Sequence, residues 1–219
     1  TDFGGERKKP EGRVKENLGK STDAGVDILS IIKAYGLPDD FNDEVKHEVE
    51  KIPQSVLERD LKGREDFREL ITVTIDGEDA KDLDDAITLT KDGNVWHLGV
   101  HIADVTHYVK ENTALDREAL HRGTSVYPVD RVIPMLPREL SNGICSLNEN
   151  QDRLTLSCMM DIDEKGNIIG HRICEGIINV NRRMTYTAVN KIISEDDEDT
   201  KNEYKDFVEL FNDFKTLSY

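Results

Sequence analysis

Hydrophobic residues recur at helical spacing in the first part of the chain, before residue 70. This spacing predicts a helix over residues 26–35, ending at the Gly-Leu-Pro sequence of residues 36–38. Asn42 or Asp43 is a suitable cap for a second helix that runs to Glu50. The segment is therefore predicted to be helical and rich in loops, without an obvious core of its own.

From residue 70 onward the pattern changes to short apolar runs that are typical of strands. A β-branched run predicts a buried strand over residues 70–75. Two pairs of runs, each interrupted by a polar turn with a glycine, predict hairpins formed by 86–90 with 95–102 and by 154–163 with 168–180. Because hairpins pair neighbouring strands antiparallel, a largely antiparallel sheet is expected.

Helices are predicted between and after these strands. One covers residues 114–122, which follow Thr113 as a cap and precede Gly123, and a short one covers residues 187–193. Three prolines make residues 126–140 irregular or extended. The predicted fold class is mixed α/β of the α+β type, with a largely antiparallel sheet and helices.

The chain is acidic, and its acidic residues are concentrated in two blocks. It has 29 Lys and Arg against 45 Asp and Glu, which gives a net charge of −16. Residues 76–85 carry −5 of this charge, and residues 194–219 carry −6. Acidity argues against a nucleic-acid partner, since phosphates favour basic surfaces. Outside the two blocks, however, the chain is nearly balanced, so its net charge alone does not exclude such a partner.

The second acidic block is predicted to contain a helix. A disordered run is expected over residues 194–200. The helix that follows has apolar positions at helical spacing, at Phe207, Leu210, Phe211 and Phe214. A solvated acidic helix face is the simplest interpretation of this block.

The cysteines and the hydropathy of the chain bear on the cellular compartment in which the protein is expected. Cys145, Cys158 and Cys174 are odd in number and too widely spaced for a CxxC metal clip, so reduced thiols in a cytoplasmic protein are expected. No apolar run approaches the ~20 residues of a membrane-spanning helix. The chain begins Thr-Asp-Phe-Gly-Gly, without an initiator Met or a signal-type segment, as expected for a piece of a longer protein.

The first acidic block places carboxylates between two predicted strands. Asp76, Asp79, Asp82, Asp84 and Asp85 lie within ten residues. Such crowding is costly unless a cation compensates for it, and carboxylate oxygens suit Mg²⁺ or Mn²⁺ better than zinc. The spacing does not match an EF-hand loop. A divalent-metal site and an ordinary solvated acidic turn both remain open on this evidence.

Other catalytic patterns are weaker. The sequence contains no dinucleotide fingerprint, P-loop, GxSxG or HExxH motif. His97, His101 and His107 are close in sequence, and a structural role is predicted for each. Tyr127, in the proline-rich segment, is either a packing aromatic or a stacking platform for a base.

Several ordered blocks resemble the catalytic domain of the RNB exoribonucleases, and the ribonuclease R branch of that family more than the ribonuclease II branch. The main block is TIDGEDAKDLDDA at residues 74–86. Further matching runs lie at residues 101–109, 133–141 and 145–147, with upstream similarity at 10–14 and 25–30. The resemblance extends over about residues 10–193 and is highly specific because the blocks occur in the family's order.

The resemblance implies an activity and a set of site residues. RNB enzymes hydrolyse single-stranded RNA processively from its 3′ end to nucleoside 5′-monophosphates with Mg²⁺, which Mn²⁺ can replace. By motif position the catalytic, metal-binding residues are Asp76, Asp82, Asp84 and Asp85. The resemblance implies that Asp76 and Asp85 make the most direct contacts with the metal. Asp84 would help to hold a second metal or orient the attacking water, and Asp82 would support the cluster. Tyr127 matches the tyrosine that stacks on the 3′-terminal nucleotide.

The resemblance also implies a domain organisation. Residues 1–20 are expected to be the exit of a cold-shock domain, 21–69 a helical linker, and 70–219 the N-terminal part of an RNB catalytic domain. A complete family member also has further cold-shock and S1 domains, and its active-site arginine and second aromatic would lie beyond Tyr219. The fragment alone is expected to be weakly active or inactive. The alternative is a noncatalytic metal- or RNA-binding module that retains the RNB fold.

Overall fold

A computed structural model describes residues 11–38 and 40–218 of the chain. Its α-helices are α1 (Val26–Ala34), α2 (Asp43–Val49), α3 (Val105–Tyr108), α4 (Ala114–Arg122), α5 (Tyr186–Asn190), α6 (Glu198–Glu203) and α7 (Val208–Leu217). Shorter helical segments are 3₁₀-helical at Glu58–Leu61 and Lys205–Phe207 and π-helical at Glu139–Ile144 and Lys191–Glu195. In this described part of the chain, no helix combines the length and apolar character needed to cross a bilayer.

The predicted helices of the first segment are confirmed. Helix α1 ends before Gly36, which adopts a left-handed φ of +65°. Helix α2 begins after Asn42, whose side-chain oxygen accepts a hydrogen bond of 3.0 Å from the Val45 N–H. Both ends therefore follow local cap chemistry that is visible in the sequence.

In the part of the chain that the structure describes, seven strands form one sheet in the order β1–β6–β5–β4–β3–β2–β7. Their bounds are β1 (Glu65–Asp66), β2 (Thr72–Asp76), β3 (Asp85–Asp92), β4 (Val95–Ala103), β5 (Asp152–Ile162), β6 (Ile168–Asn179) and β7 (Arg182–Thr185). The central strands pair antiparallel, and both predicted hairpins, β3–β4 and β5–β6, are present. Among the strand pairs of residues 11–38 and 40–218, only the two edge pairs, β1 with β6 and β2 with β7, are parallel. The predicted α+β class with a largely antiparallel sheet is confirmed.

The C-terminal helices cover part of one sheet face. Leu210 and Phe211 of α7 are buried against Val73, Trp96 and Met184 of the sheet. The apolar positions predicted for this helix therefore form a packing face, and only the opposite face is solvated.

One expectation about the same region is wrong. The acidic run at residues 194–200 was expected to be disordered, but it completes a helical turn and begins α6. Asp197 caps α6, since its Oδ1 accepts a 2.8 Å hydrogen bond from the Thr200 N–H. Acidic residues stabilise the start of a helix, so charge density alone was a poor sign of disorder here.

The three histidines have structural contacts, as predicted. His101 on β4 is fully buried, with Nδ1 2.8 Å from Ser157 Oγ and Nε2 3.1 Å from Thr88 Oγ1. His97 lies 2.6 Å from a carboxylate oxygen of Asp161, and His107 contacts Arg64. Both ring nitrogens of His101 have hydroxyl partners, and because burial disfavours the charged form, the imidazole is neutral inside the sheet.

This buried histidine predicts an acid-sensitive fold. Burial lowers the pKa of His101 from 6.5 to about 4. Between these values the unfolded chain binds the proton and the folded chain does not. Stability is therefore fully present above pH 6.5 and is lost as the pH falls toward 4. Between about pH 7.5 and about pH 5 this residue should lower the free energy of unfolding by roughly 2 kcal/mol.

Urea denaturation at both pH values, on wild type and on His101→Gln, measures this contribution. Carboxylates also titrate in this range, so the quantity of interest is the difference between the two proteins. The variant should lose less stability on acidification than wild type, whatever its starting stability. Equal losses in both proteins would show that His101 does not contribute.

Candidate active site

The candidate site is the aspartate loop, defined as residues 76–85, which connects β2 to β3. Asp76 is the last residue of β2 and pairs with Thr185 of β7, whereas Asp85 is the first residue of β3 and pairs with Ile102 of β4. Because β2 and β3 are antiparallel neighbours, the two ends of the loop lie at the same end of the sheet.

A buried serine anchors the C-terminal half of the loop. Ser146 is fully buried; its hydroxyl donates to the Lys81 carbonyl and accepts from the Leu83 N–H, each at 3.0 Å. The Leu147 N–H donates to the Leu83 carbonyl at 2.9 Å, and the Leu83 side chain is itself buried. The backbone leading to Asp84 is thereby held against the interior.

Four of the predicted aspartates act on one another electrostatically. Burial raises the pKa of Asp76, and the Asp85 carboxylate adds to this effect. Arg183 lowers that pKa, while Asp84 and Asp82 raise it further. Desolvation, followed by the charges of Asp82 and Asp85, also raises the pKa of Asp84. The loop therefore concentrates negative charge in one small region, as its spacing predicted.

Asp79 differs from the other four. Its side chain is exposed, and it is not among the charges that act on Asp76 or Asp84. The sequence alone placed Asp79 in the same cluster, and only the family motif separated it. Asp79 lies within the exposed turn that the Ala80 N–H closes on the Gly77 carbonyl, between Asp76 and the other three aspartates.

The carboxylates suit a hard divalent cation in an open site. Asp76 Oδ2 is buried and has no hydrogen-bond partner, which leaves one carboxylate oxygen available for a ligand. Within residues 11–38 and 40–218, no three or more His, Cys, Asp and Glu side chains are arranged as a metal cage. Mg²⁺ typically uses one or two carboxylates and completes its shell with water and phosphate. The donor set fits that mode of binding and not a closed site.

Tyr127 lies beside the loop. Its hydroxyl donates a 3.3 Å hydrogen bond to Asp82 Oδ2, and 65% of the residue is exposed. Desolvation and the Asp82 charge raise its pKa. A ring that is two-thirds exposed is not a core-packing aromatic, so the geometry favours the second of the two interpretations left open by the sequence.

Tyr127 and Asp82 line a cleft of about 750 Å³. Three arginines, Arg131, Arg138 and Arg183, also line it. Cationic side chains next to a carboxylate cluster allow the cleft to accept a polyanion despite the acidity of the loop.

Sequence reasoning missed two residues that hold the loop, Ser146 and Arg183. Ser146 belongs to the CSL run at residues 145–147, but nothing in that run indicates which backbone its hydroxyl contacts. Arg183 donates to the carbonyls of Gly77 and Glu78 from strand β7, which the sequence pattern did not predict.

Comparison with known proteins identifies similar chains. The RNB domain family matches residues 64–218, and a cold shock domain family matches residues 1–42. Ribonuclease R 2 of Lactococcus lactis is 47% identical over 207 residues, 94% of this chain and 31% of that protein. Ribonuclease R of Thermotoga maritima is 49% identical over 207 residues, 93% of this chain and 29% of that protein.

A solved structure is also similar. Mycoplasma genitalium RNase R in complex with double-stranded RNA superposes with a TM-score of 0.77 at 35% identity, covering 83% of this chain and 32% of that one. The chain thus spans less than a third of the length of each of these proteins. The cold shock match covers the predicted cold-shock exit at residues 1–20 and also the first part of the predicted linker at 21–69, and residues 1–10 are outside the described part of the structure.

Proposed function

This chain belongs to the RNB family, and we propose on that basis that it is the aspartate-bearing part of a 3′–5′ exoribonuclease. The whole enzyme would degrade single-stranded RNA processively to nucleoside 5′-monophosphates. The observation that carries this proposal is the aspartate loop, where Asp76, Asp82, Asp84 and Asp85 act on one another and Asp76 Oδ2 has no partner.

In this proposal Asp76 and Asp85 hold Mg²⁺, or Mn²⁺ in its place. Their support is that one ends β2 and the other begins β3, so both carboxylates are attached to rigid strands. The cation supplies neutralisation of the scissile phosphate and activation of water. Asp84 orients the attacking water or a second cation, and Asp82 supports the cluster through its contact with Tyr127.

Tyr127 is proposed to stack on the 3′-terminal nucleotide. An exposed ring tethered to Asp82 through its hydroxyl leaves its face available to a base. Stacking is worth about 1–3 kcal/mol per base and tolerates any sequence, as an exonuclease requires. The adjacent arginines are suitable contacts for the phosphates that follow.

The remaining partners are proposed from the family. They are the cold-shock and S1 domains of the full-length protein. The full-length protein is proposed to be cytoplasmic. Because the chain spans less than a third of the length of the two ribonuclease R proteins compared above, we propose that residues 1–219 alone are weakly active or inactive.

A Mn²⁺ titration followed by electron paramagnetic resonance tests the site. Wild-type chain should bind Mn²⁺, whereas Asp76→Asn/Asp85→Asn should lose most of this binding, because two carboxylate ligands are removed. Asp79→Asn is the matched control, since it neutralises a loop aspartate outside the interacting group. We expect binding by that variant to remain close to wild type.

Three results would contradict the proposal. Equal Mn²⁺ binding by the double variant and wild type would exclude the loop as the metal site. In a parallel assay, strong Mg²⁺-dependent release of mononucleotides from single-stranded RNA by residues 1–219 would show that the chain is not an inactive part. Metal binding without any cleavage, even when the missing domains are restored, would favour the noncatalytic module.

A further inference from the structure

Arg183 occupies an unusual position beside the aspartate loop. It lies on β7, which pairs with β2. In this pairing Arg183 is opposite Thr74, and Thr185 is opposite Asp76. Residues two apart on a strand point to the same face, so Arg183 and Thr185 share one face. The Arg183 N–H donates a 2.9 Å hydrogen bond to Glu149, which fixes the strand that carries it.

The guanidinium of Arg183 contacts the backbone of the loop. Its Nη2 donates to the Gly77 carbonyl at 3.2 Å and to the Glu78 carbonyl at 2.9 Å. These are the two carbonyls that directly follow Asp76. The contact therefore restrains the turn that follows Asp76, and this turn helps to set the position of the Asp76 side chain.

The same guanidinium forms no ion pair with the carboxylates nearby. Within residues 11–38 and 40–218, Arg183 is in no salt bridge, and its Nε is buried without a hydrogen-bond partner. Asp76 Oδ2 likewise has no partner, although the charge of Arg183 acts on Asp76. The arginine thus holds the loop through main-chain oxygens and leaves the carboxylate oxygens available.

We infer that Arg183 is a positioning residue for the proposed metal site: by holding the carbonyls of Gly77 and Glu78, it fixes the turn after Asp76 and strengthens binding of a divalent cation to the loop. This inference rests on the proposed function. Residues that orient metal ligands from outside the coordination shell typically change metal affinity by about 10–100-fold.

Charge and positioning predict opposite results, which makes the inference testable. A fixed positive charge near a cation site weakens metal binding, so an arginine that acted only through its charge would be unfavourable. If that effect dominated, removing the charge would tighten binding and retaining it as lysine would change nothing. If positioning dominates, lysine is insufficient, because its ammonium lacks the planar fork that reaches two carbonyls.

The test is Mn²⁺ titration of residues 1–219 by electron paramagnetic resonance, on wild type, Arg183→Lys and Arg183→Gln. Arg183→Lys is expected to bind Mn²⁺ about tenfold more weakly than wild type. Arg183→Gln should weaken binding in the same direction. Arg182→Gln is the matched control, since it removes a neighbouring positive charge that contacts Glu149 and not the loop. Its Mn²⁺ affinity should be no weaker than that of wild type.

Amide hydrogen exchange without metal supplies a second readout. The Ala80 N–H, which closes the turn on the Gly77 carbonyl, should exchange faster in both Arg183 variants, while the Leu83 N–H, held by Ser146, should not. Faster exchange at both sites would indicate general unfolding and overturn the local role.

The outcomes separate the inference from the proposed function. Wild-type affinity in Arg183→Lys, or tighter binding in Arg183→Gln, overturns the positioning role while the metal site stands. If wild type binds no Mn²⁺, or binds it equally after Asp76→Asn/Asp85→Asn, the proposed site fails and the inference fails with it.

Discussion

In a complete ribonuclease R whose RNB segment is replaced by residues 64–218 of this chain, Asp84→Asn is expected to lower the turnover of single-stranded RNA by about 10²–10³-fold. Binding of the RNA should be nearly unchanged. The Lactococcus lactis protein is a suitable recipient, being 47% identical over the matched region. Turnover is measured as release of mononucleotides with Mg²⁺ in excess, and binding is measured without divalent metal.

The physical reason is that Asp84 lies in the charged group and not in the packing that supports it. Its pKa is raised by desolvation and by Asp82 and Asp85, so its carboxylate is one of the interacting charges. Its backbone carbonyl accepts a 2.9 Å hydrogen bond from the Ala103 N–H, which the substitution leaves intact. Asparagine has nearly the same shape but lacks the charge, so the loop should persist while its proposed catalytic contribution is lost.

Asp79→Asn in the same chimera is the control for this experiment. Both substitutions neutralise one aspartate of the same loop, but Asp79 is exposed and outside the interacting group. The expected result is near-normal turnover in Asp79→Asn and a large loss in Asp84→Asn. Similar losses in both would mean that total loop charge matters and not the individual position. Undiminished turnover in Asp84→Asn would remove it from the catalytic residues.

Local patterns in the sequence were sufficient for the hairpins and for several helix ends. Helix α4 has the predicted bounds, and Gly123 after it has φ +73°. The β3–β4 turn contains Gly93 with φ +56°. In each case the determining residues lie within a few positions of one another, so periodicity and turn chemistry carry the information.

The strands β1 and β7 were missed for a physical reason. With two residues in β1 and four in β7, neither is long enough to show a period of two. Each forms by parallel pairing at a sheet edge, β1 against β6 and β7 against β2, and depends on partners far away in the chain. The sheet accordingly begins at Glu65, before the domain start predicted at residue 70.

The supports of the candidate site were hidden for the same reason. The loop aspartates are neighbours in sequence, so their clustering was predictable. Ser146 and Arg183 act across long separations, 63 residues from Ser146 to Leu83 and 106 from Arg183 to Gly77. A single sequence contains no signal for such contacts until the strand order is known.

The largest expected loss of stability comes from Arg64, at the start of the RNB segment. Its side chain is only 4% exposed, and its Nη2 lies 2.6 Å from Asp104 Oδ2. Burial acts to raise the pKa of Asp104, but hydrogen bonds from Arg64 and Thr106 outweigh it, and the pKa lies below its usual value. Arg64 and Asp104 are therefore both ionised inside the protein, and their mutual attraction offsets the cost of removing them from water.

Arg64 also joins three parts of the fold through backbone carbonyls. Its Nε donates to Asp60 at 3.1 Å, and its Nη1 donates to Thr155 of β5 at 3.3 Å and Gly176 of β6 at 3.4 Å. Arg64→Met should lower the free energy of unfolding by about 3–5 kcal/mol, because Asp104 is then charged in the interior without its cationic partner and keeps only the hydrogen bonds from Thr106 and His107. Urea denaturation near neutral pH measures this loss.

The double variant Arg64→Met/Asp104→Asn separates the charge effect from the loss of these contacts. If the unpaired Asp104 carboxylate causes most of the loss, the double variant should be more stable than Arg64→Met alone. Arg172→Met is the surface comparison: Arg172 pairs with Glu65 at 2.7 Å, but both side chains are substantially exposed, at 56% and 43%. Solvent screening weakens that pair, so its removal should cost far less stability than the removal of Arg64. Equal losses from Arg64→Met and Arg172→Met would contradict the burial argument, because the two ion pairs have similar lengths, but Arg64 is buried and also holds three backbone carbonyls.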